Sequence, residues 1–224
     1  MAGAAVFDDA SSEFLRSSAP SWTTFPASIA AWIKLDSAFS AQGGVVALCG
    51  SGTRNFSFYV TSSDVLKGYI RIGGGASVIL TGTTLNKDQW YFVAHVSASH
   101  TDHILYLDGA VDQTSTVDST GTDTFDRVRI GCWTSETGQF FDGSIAYVHY
   151  YDRALSIGEV NQIMHCPGSV VDNLQVYYPL IEDASVTTDY KDLSPSSQSI
   201  TAGTLPSPSL AGPPVYFPQA GSIR

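Results

Sequence analysis

A chain of 224 residues with 43% hydrophobic content is long enough to bury one large core without staples. Its 21 acidic and 11 basic side chains leave a net charge of −10, which argues against nucleic acid and against an anionic membrane surface, since both are held by cationic residues. Charged residues are only 14% of the chain, so a neutral, turn-rich surface is expected rather than a helical one.

The first residues, MAGAAVFDDASSEF, carry no basic n-region and no long apolar run, so neither a signal peptide nor a membrane span is expected. Short runs rich in Val, Ile, Tyr and Phe then recur between Gly, Asp and Ser clusters. They predict strands near 4–7, 29–35, 44–49, 55–61, 66–72, 76–81, 90–97, 103–107, 110–117, 127–133, 143–151 and 174–180. Asp108-Gly109, between ILYL and AVDQT, is a two-residue hairpin turn, and Gly73-Gly74-Gly75 links YIRI to SVIL. Ser156, Glu159, Val160, Ile163 and Met164 predict the one helix, opened by a capping box and stopped by Pro167-Gly168. The pattern is all-β: a two-sheet antiparallel sandwich with one short helix on its C-terminal side.

Beyond about residue 204 the chain turns Pro-rich, TLPSPSLAGPPVYFPQAGSIR, and cannot enter the middle of a sheet. The expected organisation is one sandwich domain over 1–204 and an extended arm over 205–224. Two readings stand: a disordered end, or an arm that lies along its own domain or a neighbouring subunit, with Pro213, Pro214, Val215, Tyr216 and Phe217 as the contact residues.

Chemistry is sparse. The four glutamates, Glu13, Glu136, Glu159 and Glu182, are too dispersed for a retaining glycosidase pair, and no nucleophile elbow, P-loop or dinucleotide fingerprint occurs. No enzyme activity is expected. His100-Thr101-Asp102-His103 lacks a convincing fourth metal ligand and reads as a solvated hairpin. Cys49, Cys132 and Cys166 are an odd, widely spaced set, read as free thiols. Asn55-Phe56-Ser57 is a glycosylation sequon in a strand context that disfavours use.

Five blocks occur in order: Phe7-Asp8 with Phe14-Leu15; Ala31-Trp32-Ile33-Lys34; Gln89-Trp90 with Val93-Ala94; Leu105-Tyr106-Leu107-Asp108-Gly109; and FDGSIAYVHYYDRALS from Phe141 to Ser156. Together they resemble the laminin-G-like domains of the concanavalin A-like jelly-roll class, over most of residues 4–165. The resemblance implies a jelly roll with Trp32 and Trp90 in the core. Relatives often bind calcium and carry an acidic pair where this chain has Ala146 and Tyr147. Asp8, Asp9 and Asp142 are oxygen donors nearby, but no metal or cofactor is assigned. The segment Leu174 to Thr204 resembles one common in this class, and its place after the helix, followed by the short Gly212-Pro213-Pro214-Val215 tail, is similar to laminin-G-like proteins of tailed bacteriophages. That likeness implies a virion structural protein, a capsid or tail decoration assembled in the host cytoplasm with other virion proteins and further copies of itself. The alternative is a carbohydrate-binding module or adhesin for cell-surface glycans.

Alternation picks the candidate ligand residues. In KGYIRI, Lys67, Tyr69 and Arg71 share a solvated face; in DRVRIGCW, Arg127, Arg129, Gly131 and Trp133 point away from the core, with Glu136 in the loop beyond. Tyr69, Arg71, Trp133 and Glu136 are the resulting set for sugar contact. Trp22, in PSWTTFP, fits either a core or a surface position.

Overall fold

The computed structural model describes residues 3–22, 25–50, 55–73, 75–121, 124–133, 136–181, 189–198, 200–209 and 211–215. Strands dominate because β-branched and aromatic residues alternate with small or polar ones. In chain order they are β1 (Ala4–Phe7), β2 (Phe14–Trp22), β3 (Ala27–Leu35), β4 (Gly43–Cys49), β5 (Asn55–Val60), β6 (Val65–Arg71), β7 (Val78–Thr84), β8 (Trp90–Ser99), β9 (Asp102–Leu107), β10 (Ala110–Ser115), β11 (Phe125–Ile130) and β12 (Gly143–Tyr151). Helix α1 (Ile157–His165) follows, then β13 (Leu174–Tyr178), β14 (Asp189–Tyr190), β15 (Ile200–Thr204) and β16 (Ser207–Ser209).

They form two antiparallel sheets. Sheet A runs β10-β9-β8-β3-β12-β1-β16, with β13 also paired to β12; sheet B runs β14-β15-β2-β11-β4-β5-β6-β7. The expected all-β two-layer sandwich is the observed fold. Between the sheets lies the main core, with Phe7, Ile29, Ile33, Phe56, Phe58, Ile70, Val93, Leu105, Val128 and Ile145 among its members. No helix among the described residues is long and apolar enough to cross a membrane.

The two outer faces differ, and that difference positions the site. On sheet A, a second apolar layer of Ala30, Trp32, Phe92, Ala94, Tyr147 and Tyr151 packs under Val160, Ile163 and Met164 of α1. Trp32 Nε1 donates to the Met164 carbonyl at 3.1 Å. The helix is fixed by the expected capping box: Ser156 Oγ accepts from Glu159 N, and Glu159 accepts from Ser156 N at 2.8 Å. Arg153 clamps the same glutamate, Nη2 to Oε1 at 2.7 Å. Sheet A is thus covered, while the outer face of sheet B meets no helix among the described residues.

The closing strand carries a bulge. Register along β12 shifts between Ala146 and His149, and Tyr147 takes φ of 52°. Ala146 and Tyr147 therefore both enter the layer beneath α1, while Ile145, Val148 and Tyr150 face the main core. His149 stacks on Tyr177 with ring centroids 4.6 Å apart. The bulge also lets β12 change partner, from β1 at residues 143–145 to β13 at 148–151.

Strand β2 was not among the expected elements. Its Ser- and Pro-containing sequence, FLRSSAPSW, hides a strand with partners on both sides, β11 and β15. Register shifts where Trp22 pairs with Phe125 and Ser18 with Arg127, so the stretch holding Pro20 sits in a bulge where no ladder hydrogen bond is needed. Trp22 is core, 6% exposed, with Phe125 at 4.7 Å. Trp90 differs from expectation: it is half-buried at the rim of the second layer, with Lys34 Nζ 5.7 Å from its ring. Of the Pro-rich segment, Ser207–Ser209 pairs antiparallel with β1 at the sheet edge, beyond the expected boundary at 204.

Candidate functional site

The outer face of sheet B can be read from strand registers. Across β2, β11, β4, β5 and β6, one row is Arg16, Arg129, Ala47, Ser57 and Tyr69. The row beside it is Arg127, Cys49, Asn55 and Arg71. Phe56, Phe58, Leu66 and Ile70 point to the core, so these rows point away from it.

Three aromatic rings meet at one end of this face. Trp133 packs on Tyr59, ring centroids 4.2 Å apart at 64°, and on Tyr69 at 5.5 Å and 60°. Trp133 and Tyr69 are half-buried; Tyr59 is buried at 8% exposure. The sequence reading placed Trp133 on the strand, but β11 ends at Ile130, and Gly131, with φ of 81°, turns the chain out of the sheet. Trp133 still reaches the expected face because the loop folds back. Gly131 N donates to the Val45 carbonyl and Gly44 N to the Gln139 carbonyl, each at 2.9 Å. Gly44 lacks a side chain where one would collide with the backbone of Cys132 and Trp133.

Glu136 ties the loop down. Its Oε1 accepts from Arg129 Nε and its Oε2 from Arg16 Nη1, both at 2.9 Å. Burial works to raise this carboxyl, but the hydrogen bond and charge of Arg129, with Arg16 behind them, outweigh it and hold Glu136 below the ordinary glutamate range. Arg129 Nη1 also donates to Cys49 Sγ at 2.8 Å. Burial pushes the Cys49 thiol up to about 11 and the Cys132 thiol to about 12, so neither is a ready nucleophile. None of the three cysteines forms a disulfide.

Tyr69, Arg71 and Trp133, chosen from sequence, thus share one face, with different parts. Tyr69 donates to or accepts from Ser77 Oγ at 3.1 Å, and Arg71 is exposed. Glu136 is engaged by two arginines and holds the loop. Sequence reasoning missed Tyr59, although β5 alternation carries the signal: Phe56, Phe58 and Val60 point in, Asn55, Ser57 and Tyr59 out. Asn55 Nδ2 and Oδ1 and Ser57 Oγ are buried with no hydrogen-bond partner among the described residues. Such orphaned groups cost about 1–3 kcal/mol each and mark where polar partners are wanted. The buried Asn55 also makes the sequon unusable in the folded chain.

The remaining candidates lie elsewhere. His103 is no part of a solvated hairpin: it is fully buried, Nδ1 at 2.9 Å from Ser97 Oγ and Nε2 donating to the carbonyls of His100 and Val117 at 2.9 and 3.2 Å. With both nitrogens engaged it offers no metal ligand. Ala146 and Tyr147 lie beneath α1, where a methyl and a phenol stand in place of two carboxylates. Asp8, Asp9 and Asp142 hold oxygens within 4.8 Å of one another and could offer oxygen ligands to a hard cation; proximity alone makes no metal assignment. Burial, with Asp36, Asp9 and Asp8 nearby, pushes the Asp142 carboxyl up to about 6. In the C-terminal segment Pro213 is buried, Pro214 is exposed and Val215 packs on the second layer of its own chain. Tyr216 and Phe217 lie outside the described residues.

The sequence matches the model of the laminin-G-type concanavalin A-like lectin/glucanase superfamily over residues 9–161. The chain belongs to that superfamily. No curated protein matches it. Among solved structures, it is similar to a protein of Bacteroides ovatus assigned to carbohydrate binding, with TM-score 0.72, 17% identity, and coverage of 96% of this chain and 62% of that one. The chain therefore spans less than two thirds of that protein's length. A second likeness is to the heptameric SAP-like pentraxin of Limulus polyphemus, with TM-score 0.56, 18% identity, and coverage of 72% of this chain and 81% of that one. At these identities the likeness is one of fold.

Proposed function

We propose that this chain is a non-catalytic carbohydrate-binding module whose sugar-contacting surface is the outer face of sheet B. The carrying observation is the Tyr59–Tyr69–Trp133 cluster on the sheet face that α1 does not cover. The half-buried rings of Tyr69 and Trp133 offer apolar surface for the C–H faces of a pyranose, with buried Tyr59 packed behind Trp133, while nearby polar groups supply directional contacts. Membership of a lectin/glucanase superfamily and the likeness to a protein assigned to carbohydrate binding support the reading.

Catalysis has no comparable support. Glu13 Oε2 accepts from Asp8 N at 2.8 Å, Glu136 bridges two arginines, and Glu159 caps α1. Each described glutamate is structurally committed, and Glu182 lies outside the described residues. A virion decoration is the alternative, resting on the resemblance in how Leu174 to Thr204 and the tail follow the helix. A glycan array probed with the full chain and with Trp133→Ala tests the first reading. Binding by the full chain that falls at least tenfold in the variant is expected; silence across the array, or binding indifferent to Trp133, overturns it.

A further inference from the structure

The basic residues of this acidic molecule are unevenly placed. Of the 11 in the chain, Arg16, Lys67, Arg71, Arg127 and Arg129 lie on the outer face of sheet B. Three are offset by carboxylates. Arg16 and Arg129 share Glu136, and Arg127 Nε lies 3.5 Å from Asp126. The two on β6 are not, among the described residues. Lys67 Nζ donates only to the neutral hydroxyl of Thr81, at 2.6 Å, and Arg71 has no partner among the described residues. They flank Tyr69, so the outward side of β6 reads cation, aromatic, cation, each step about 7 Å. Trp133 packs against the central ring, and the unpartnered Asn55 is the cross-strand neighbour of Arg71.

We propose that this face selects saccharides bearing an anionic group, a carboxylate or a sulfate, with the sugar ring on Tyr69 and Trp133 and the anion held by Arg71 or Lys67. The inference rests on the carbohydrate-binding reading of the same face. A free guanidinium offers two parallel N–H donors to a planar carboxylate or to two sulfate oxygens, and an ammonium offers a point charge. The whole-molecule charge of −10 repels extended polyanions at long range, so discrimination comes from contacts at β6 rather than from a general field.

Calorimetric titration of the full chain with trigalacturonic acid, a heparin-derived hexasaccharide, cellohexaose and a single-stranded oligonucleotide tests this. The expected result is at least tenfold tighter binding of one or both anionic saccharides than of cellohexaose; the two anionic arms tell carboxylate from sulfate recognition. Arg71→Ala and Lys67→Ala should each weaken the anionic ligand about tenfold and cellohexaose by less, with melting temperature unchanged. Lys191→Ala, which removes an exposed cation elsewhere, should change nothing. Equal affinity for neutral and anionic sugars, insensitive to both β6 variants, overturns the anionic preference and leaves carbohydrate binding standing. Oligonucleotide binding as tight as that of the anionic sugars also overturns it, by marking an unselective polyanion surface. No binding of any saccharide overturns both readings.

Discussion

His95 lies fully buried on β8, its Nδ1 donating to the Ser57 carbonyl at 2.9 Å and its Nε2 without a partner among the described residues. Burial pushes its pKa down to about 3, and does the same to His149; His103 is also lowered, again chiefly by burial. An unfolded histidine protonates near 6.5, so below that pH the unfolded chain binds more protons than the folded one. The stability involved is fully present above about 6.5 and is lost as pH falls towards about 3, by up to about 1.4 kcal/mol per pH unit per histidine. Asp142 works the other way. Its carboxyl, raised to about 6, keeps a proton that the unfolded chain releases near 3.8, so it costs stability as pH rises between those values. The histidines outnumber it, and urea midpoints at pH 4, 5, 6 and 7 should rise with pH. Asp142→Asn removes the opposing contribution, so its curve should rise more steeply and lie above the parent at pH 7. Coincident curves would show that Asp142 does not titrate in this range.

At the scale of elements, the loop from Gly131 to Gln139 places the aromatic cluster, and a backbone too close to Gly44 for any side chain holds it there. Gly44→Val should displace that loop: Trp133 fluorescence should shift to the red and saccharide binding should fall at least tenfold. Gly158→Ala is the control, because a methyl there meets only Ser156 Oγ, at 3.9 Å, and should raise helix stability by about 0.5–1 kcal/mol. Unshifted Trp133 emission in Gly44→Val would mean that the loop is held by something else. Much of this level was legible in sequence. Asp108 and Gly109 do take the positive φ of a tight hairpin, 49° and 78°, the capping box forms, and the alternation in β6 gave Lys67, Tyr69 and Arg71 their shared face. What was not legible depended on partners distant in the chain. Strand β2 has weak strand propensity and is strand because β11 and β15 flank it. His103 looked solvated because nothing in four residues shows Val117 and Phe25 closing over it. Glu136 looked free for a ligand because its arginines come from two other places, one of them 120 residues away.

For the whole molecule, the question is where the folded unit ends. Composition changes at about 204, yet Ser207–Ser209 hydrogen-bonds along β1, Pro213 is buried, and Val215 packs beside the layer under α1. A three-residue edge strand tolerates Pro208, since an edge has a side on which no donor is required. Removing it would leave β1 as an open sheet edge, the kind of surface that pairs with other chains. A chain ending after Thr204 should therefore melt several degrees below the full chain, at about 2–4 °C per kcal/mol lost for a domain of this size, and should show concentration-dependent association by light scattering. A chain ending after Val215 keeps both the edge strand and the apolar contact, and should melt with the full chain as a species of unchanged mass. If the shorter truncation also melts with the full chain and does not associate, residues 205–215 add nothing to the sandwich, and the compositional boundary at 204 is the physical one.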